Sequence, residues 1–269
     1  MGEVPQVVGD LALSQDAGSD LAMDVQTTGS GAPVTCFVPG LGQTIADTRP
    51  FGSAVVGSKV FVDLLSRVEP TSDGSNPLER LASDVAEVVK ATAATRAVGV
   101  SLGAGVLVAL AARRRDLFER MVLALPPSLD RQSRGDDIEL AGQLADAIDA
   151  NDQTALTQLL LEMQPPSART RTDVRIWARR HAALIGGTGV SEAFRVLPGA
   201  PPSVTTEQLG QIDVPVLVLA QRDDPWHPLS ASEHLVSMLP NARLVVSDVS
   251  WVWGARHQLR GAITEFLNS

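Results

Sequence analysis

A serine at the tip of a glycine-bounded turn is the side chain of this sequence best suited to nucleophilic chemistry. Ser101 stands in Gly99-Val100-Ser101-Leu102-Gly103, after the apolar run 96–98 and before an apolar helical stretch over 104–113. The two glycines remove side chains that would clash in so tight a turn. The turn would present the hydroxyl beside helix N–H groups that can stabilise an oxyanion. A glycine-rich turn with no catalytic role is the alternative interpretation.

A serine hydroxyl attacks efficiently when a base takes its proton and a carboxylate orients that base. Candidates for both follow later strand-like segments. Asp224 comes after the apolar run 214–220, with Asp223 as its rival for the acid, and either could instead cap the next helix. His257 follows the apolar run 242–246. The other histidines are His181, His227 and His234.

Serine, aspartate and histidine therefore occur in that order, each soon after a predicted strand. This order, with the Gly-x-Ser-x-Gly turn, resembles the α/β-hydrolase family from about residue 30 to the C-terminus. The resemblance implies Ser101 as the nucleophile and His257 as the base. It favours Asp224 over Asp223 as the acid, because the family carries a proline soon after its acid and Pro225 follows here.

The resemblance also implies two backbone N–H donors for an oxyanion. One is the N–H of Leu102, directly after the serine. The second is the N–H of Leu41, in the loop after the predicted strand 34–38, where related enzymes often carry His-Gly and this chain has Pro39-Gly40. Gln43 could add a side-chain donor to the same pocket.

The predicted base departs from the family pattern. His257 lies nine residues before Phe266, closer to the end of the closing helix than is usual in the family. Counting back the usual distance reaches Ser250, so another residue can occupy the usual position. Three alternatives follow: a short loop still brings His257 to the serine, His227 is a substitute base or a polar group at the mouth of the site, or no general base is present.

Alternating strand and helix patterns predict an α/β fold with a mostly parallel central sheet flanked by helices on both faces. Over residues 130–209 the pattern is helical alone, which predicts a cap above the carboxyl edge of the sheet. The predicted division is a core of residues 1–129 and 210–269 with a cap of 130–209. An antiparallel hairpin is predicted ahead of the core, around residues 7–13 and 21–25.

Tryptophans are candidates to line the substrate pocket. Trp177 falls in the predicted cap, and Trp251 and Trp253 fall where the family carries its histidine loop. The two indoles of that loop would suit stacking on a flat aromatic ligand, and packing within the protein is the alternative for each tryptophan. With Gln43 and His227, these three form the predicted substrate-binding set.

Composition excludes several classes of function. The formal net charge of −9 argues against nucleic acid and anionic membrane surfaces as partners. The single cysteine, Cys36, excludes an internal disulfide and is expected to pack in its strand. No apolar run approaches the ~18 residues of a membrane helix, and the N-terminus lacks a secretory pattern, so a cytoplasmic location is expected. Neither a metal-ligand cluster nor a dinucleotide-binding glycine motif is visible, and the oligomeric state stays open.

These features predict a cofactor-independent esterase or thioesterase that acts on a small to medium hydrophobic substrate. An acyl-enzyme would form on Ser101, and water activated by His257 would release it. If the triad is incomplete, the same pocket could instead perform cyclisation, decarboxylation or carbon–carbon bond formation on a natural product. A catalytically inactive ligand-binding protein is the third alternative, although such a site has no need of a strained serine.

Overall fold

A mostly parallel sheet forms the centre of the molecule. The computed structural model describes residues 23–64, 76–129, 135–200 and 203–269, and within them the sheet has seven strands. The strands are β1 Val25–Thr28, β2 Val34–Val38, β3 Ser58–Val62, β4 Arg96–Val100, β5 Arg120–Ala124, β6 Val216–Gln221 and β7 Ala242–Ser247. Their order is β1-β3-β2-β4-β5-β6-β7, with β1 antiparallel to β3 and the other neighbouring pairs parallel. The predicted α/β class with a mostly parallel sheet is confirmed.

Helices connect the strands and cover the sheet. They are α1 Ile45–Gly52, α2 Pro77–Thr92, α3 Leu102–Arg113, α4 Gly135–Asp149, α5 Gln153–Glu162, α6 Pro166–Arg169, α7 Thr172–Ile185, α8 Val190–Val196, α9 Thr206–Leu209, α10 Leu229–Met238 and α11 Arg256–Asn268. Among the described residues, a helix with the length and apolar character of a bilayer span is absent.

The central strands β2, β4, β5 and β6 are largely apolar because both faces of the sheet are buried there. Successive side chains point to opposite faces. Cys36 and Val38 therefore belong to an apolar core that extends to α2, α3 and the helices after β5, while Phe37 belongs to a second core beneath α1 and α11. Parallel strands end at one common edge, so the loops after β2, β4, β6 and β7 converge there.

Between β5 and β6, the described residues with regular structure are all helical, from α4 to α9. These helices pack on one another and continue the first apolar core. The division of the chain at residues 130 and 209 stays a prediction. The first strand of the predicted leading hairpin, residues 7–13, and positions 21 and 22 lie outside the described residues.

Candidate active site

Ser101 occupies a strained turn between β4 and α3. Its backbone has φ 50° and ψ −114°, in a region that residues with a side chain rarely adopt. The Ser101 N–H donates to the carbonyl of Ala124 on β5 at 2.9 Å, which anchors the turn to the sheet. A Cβ built on Gly103 would lie 2.1 Å from the Val38 carbonyl oxygen, and one on Gly99 would lie 2.5 Å from the Gly103 carbonyl oxygen. Both glycines are therefore needed for this turn to form.

The Ser101 hydroxyl lies against His227. Its Oγ is 2.7 Å from His227 Nε2, and His227 Nδ1 is 3.3 Å from Asp224 Oδ1. The side chains of His227 and Asp224 are 12% and 4% exposed, so the pair is largely shielded from water. The three groups form the nucleophile–base–carboxylate arrangement that activates a serine.

Asp224 and His227 come from one short turn between β6 and α10. Asp224 Oδ1 accepts hydrogen bonds from the backbone N–H groups of Trp226 at 2.9 Å and His227 at 2.8 Å. An aspartate that binds the backbone two and three residues ahead closes an Asx-type turn. This local turn folds the imidazole back over the carboxylate. Asp223 adopts a left-handed conformation with φ 55° and is exposed, so it is Asp224 that contacts the histidine.

The carboxylate of Asp224 is held in its ionised form. Burial alone raises its pKa, but the charge of His227 and the hydrogen bonds from His227 and Trp226 outweigh burial and lower the pKa below its usual value. An ionised carboxylate at Nδ1 favours a proton on that nitrogen. The Nε2 lone pair then faces the Ser101 hydroxyl and can accept its proton.

Gln221, at the end of β6, supports the other carboxylate oxygen. Its side-chain Nε2 donates to Asp224 Oδ2 at 2.7 Å, and its Oε1 accepts the backbone N–H of Trp251 at 2.9 Å. Gln221 is only 3% exposed. It therefore connects the acid to the loop after β7, where the family resemblance had implied the histidine.

Trp251 fills that loop and does not face the substrate. Its ring is 3% exposed and packs in the core beneath α11, while its Nε1 donates to the carbonyl of Ala220 at 2.8 Å. The prediction that Trp251 binds substrate is therefore wrong, because its indole is buried in the core and does not reach the cavity. Sequence spacing alone could not distinguish the two tryptophans of this loop.

The predicted position of His257 against the serine is also wrong. His257 lies in the first turn of α11 with its side chain exposed, and Arg260 Nη2 donates to its Nδ1 at 3.3 Å. The loop after β7 is short, so the chain is already helical at this histidine. The Asp-x-x-His spacing directly after a buried strand was the signal for His227, which sequence analysis had kept as an alternative base.

The loop after β2 passes over the nucleophile. A Cβ on Gly40 would lie 3.3 Å from Ser101 Cβ. Gln43 holds this loop, since its Oε1 accepts the Gly40 N–H at 2.8 Å and its backbone N–H donates to the Gly40 carbonyl at 3.1 Å. The side-chain oxygen of Gln43 is thus used by the loop itself. Leu41 lies within this loop and Leu102 begins α3, the two positions predicted to supply oxyanion donors.

A cavity of about 560 Å³ opens over Ser101 and His227. Gln43, Trp177 and Trp253 line it, and their binding of substrate stays a prediction. The apolar part of the wall comes from both the sheet edge and the helices after β5: Leu41, Leu125, Leu160, Met163, Ile185, Phe194, Trp226 and Val252. The described ranges contain no cluster of three or more His, Cys, Asp or Glu side chains able to hold a metal ion.

A second polar group lies in the same wall, around Asp47 of α1. Asp47 Oδ2 accepts the N–H and hydroxyl of Thr44 at 2.9 and 2.8 Å, and its Oδ1 accepts the Trp177 indole N–H at 3.3 Å. Trp177 stacks on His181, with ring centroids 5.0 Å apart. Burial lowers the pKa of His181, against the opposing effects of the Asp47 charge and a hydrogen bond with the Gly42 backbone.

Solved structures of hydrolases match the chain over most of its length. A thermophilic esterase from Thermogutta terrifontis superposes with a TM-score of 0.75 at 19% identity, covering 91% of this chain and 93% of that chain. The enol-lactonase from Burkholderia xenovorans LB400 gives 0.75 at 19% identity, with coverages of 92% and 96%. MGS-M2, an α/β hydrolase enzyme from a Medee basin deep-sea metagenome library, gives 0.77 at 14% identity, with coverages of 92% and 94%.

No protein-family model and no curated protein sequence matches this chain. The structural similarity is nevertheless extensive, with strands and helices aligned over nine-tenths of the molecule. The chain therefore has the α/β-hydrolase fold, as its sequence predicts.

Proposed function

We propose that this protein is a cofactor-independent serine hydrolase that cleaves an ester or thioester with a small to medium hydrophobic acyl group. The observation that carries the proposal is the 2.7 Å contact between Ser101 Oγ and His227 Nε2, continued through Nδ1 to Asp224. The similar structures include esterases and a lactonase, which supports carbonyl chemistry at this edge of the sheet. The apolar cavity wall supports a hydrophobic acyl group.

The proposed reaction proceeds through an acyl-enzyme. His227 Nε2 takes the hydroxyl proton as Ser101 Oγ attacks the carbonyl carbon, and the backbone N–H groups of Leu41 and Leu102 stabilise the oxyanion. The imidazolium, balanced by the ionised Asp224, then gives the proton to the leaving oxygen or sulfur. A water activated by the same imidazole attacks the acyl carbon and restores the serine.

Both alternatives suggested by the sequence lose support from the position of His227. The non-hydrolytic alternative depended on a missing base, whereas a base lies within hydrogen-bond distance of the nucleophile. An inactive binding protein would have no use for the buried, ionised carboxylate behind that base. Hydrolysis is therefore the function that we propose.

The test combines a covalent probe with two matched histidine variants. A fluorophosphonate should label the protein and not Ser101→Ala, and p-nitrophenyl butyrate should be hydrolysed. His227→Gln should lower kcat/KM by about 10⁴-fold or more, by the behaviour of other triads. His257→Gln is the control and should change kcat/KM by less than about tenfold. Equal losses in the two variants, or labelling that survives Ser101→Ala, would refute the proposal.

A further inference from the structure

Three basic side chains of α11 lie at the same cavity as the nucleophile. Arg256, His257 and Arg260 all line it, and all three are exposed at its mouth. Their placement is notable in a chain of net charge −9, whose overall field repels anions. Two guanidiniums therefore lie together at one rim of the cavity.

These cations have unused hydrogen-bond donors. Among the described residues, neither Arg256 nor Arg260 forms a salt bridge with an acid. Arg256 Nε donates to the Val252 carbonyl, and one Arg260 nitrogen donates to His257 Nδ1. A guanidinium carries five N–H donors in a planar fork, so most of them stay available.

The acids of the cavity, in contrast, are already satisfied. Asp47 has accepted hydrogen bonds on both oxygens from Thr44 and Trp177. Asp224 has both oxygens occupied by Gln221, His227 and the backbone of its turn. Both carboxylates among the described lining residues thus have other hydrogen-bond partners, and neither forms a salt bridge with Arg256 or Arg260.

Packing holds one of the arginines on the cavity wall. The Arg256 guanidinium lies over the Trp253 ring, 5.7 Å from its centroid, while the Trp253 Nε1 donates to Gln164 Oε1 at 2.9 Å. Trp253 in turn meets Trp177 edge to face, with centroids 5.5 Å apart. A guanidinium fixed on an aromatic ring loses less freedom when it binds a ligand than one that moves freely in solvent.

We propose that Arg256 and Arg260 bind an anionic oxygen group, a carboxylate or phosphate, at the end of the substrate remote from the scissile carbonyl. This inference rests on the proposed hydrolase function and refines its substrate class: an apolar body with one anionic end. The forked donors of arginine match the paired oxygens of both groups. The anion lies on the acyl side in a dicarboxylic half-ester, or on the leaving-group side in a thioester of a phosphorylated carrier.

Two matched substrate pairs separate these sources. Mono-p-nitrophenyl glutarate is compared with p-nitrophenyl valerate for an acyl-side anion, and butyryl-coenzyme A with S-butyryl-N-acetylcysteamine for a leaving-group anion. The unsubstituted protein should show a kcat/KM at least about tenfold higher for the anionic member of one pair. Raising the ionic strength from about 0.05 to 0.5 M should reduce that ratio.

Arginine variants show whether the preference comes from α11. Arg260→Gln should lower the anionic-to-neutral ratio about tenfold, and Arg260→Lys, which keeps the charge without the fork, should lower it less. Arg256→Gln should also lower the ratio. The control is Arg180→Gln, an exposed arginine of α7 outside the cavity lining, which should retain it.

The outcomes distinguish this inference from the proposed function. If neutral esters are hydrolysed and Ser101 is labelled, but neither pair favours its anionic member, the inference is overturned alone. A preference that survives both glutamine variants overturns it as well. If no ester is hydrolysed and the probe does not label Ser101, the hydrolase proposal fails, and the inference fails with it.

Discussion

Replacement of Gln221 by leucine tests how much its buried hydrogen bonds to Asp224 and Trp251 contribute to stability. Gln221→Leu keeps a side chain of similar size but removes the donor to Asp224 Oδ2 and the acceptor for the Trp251 N–H. Both groups are buried, so water replaces those bonds poorly. The hydrogen bond to the charged carboxylate contributes about 1.5–3 kcal/mol, and an unsatisfied backbone N–H costs about 1–3 kcal/mol. The free energy of unfolding should fall by about 2–5 kcal/mol, allowing for partial relaxation.

Catalysis should suffer less than stability in the same variant. Asp224 Oδ1 keeps its hydrogen bonds from the backbone of Trp226 and His227, so the turn that aims the imidazole survives. We expect kcat/KM for p-nitrophenyl butyrate to fall about tenfold, equivalent to about 1.4 kcal/mol of transition-state stabilisation.

The measurements are urea unfolding followed by tryptophan fluorescence, and steady-state hydrolysis at a temperature where the variant is folded. Gln258→Leu is the matched control, because Gln258 is exposed on α11, and it should change the free energy of unfolding by less than about 0.5 kcal/mol. Equal stability of the Gln221 variant and the unsubstituted protein would show that the two hydrogen bonds contribute nothing net.

Three further perturbations follow from contacts described above. Gly103→Ala places a Cβ 2.1 Å from the Val38 carbonyl oxygen, so it should lower the melting temperature and abolish probe labelling, whereas Gly142→Ala, which meets open space, should not. The pKa of Asp224 in the folded protein lies below its unfolded value of about 3.9. Its ionised form therefore stabilises the folded protein at pH values above about 3.9, and this stabilisation is lost as the pH falls through the folded pKa. The difference in unfolding free energy between Asp224→Asn and the unsubstituted protein should therefore shrink below about pH 4, as measured by urea titration at each pH. Burial raises the pKa of the Cys36 thiol to about 12, so a disulfide reagent such as DTNB should leave the native protein unmodified and react fully in urea; rapid native reaction would contradict its burial.

The sequence was sufficient to predict the sheet and the tight turn at Ser101, because both depend on local signals; the role of Ser101 as nucleophile stays a prediction. Apolar runs marked β2 and β6, and the two glycines around Ser101 marked a turn that the structure places at the carboxyl edge of the sheet. Asp224 was preferred over Asp223, and it is the one that contacts a histidine.

His257 was preferred to His227 because the family resemblance implies a histidine after the last strand, and the short spacing between Asp224 and His227 was given less weight. His257 lies in the expected region of the sequence. It falls within the first turn of α11, however, and its side chain is exposed on the surface of that helix. His227 required a three-dimensional argument, namely that an Asx turn brings the imidazole back over the carboxylate. The prediction that Trp251 binds substrate was wrong for a similar reason. The neighbouring residues in the sequence do not indicate that its ring is buried.

Asp224 and His227, the proposed acid and base, lie within four consecutive residues, and the backbone of that segment fixes their mutual geometry. In a serine hydrolase whose two groups come from separate loops, an insertion in either loop misaligns them. Here the loop after β7 supplies neither of the two groups, and it meets the support of Asp224 through the hydrogen bond from the Trp251 N–H to Gln221. The segment 224–227 should therefore work in another protein of this fold. Placed after the corresponding strand of a hydrolase whose own histidine has been deleted, it should restore turnover with the recipient's last loop unchanged.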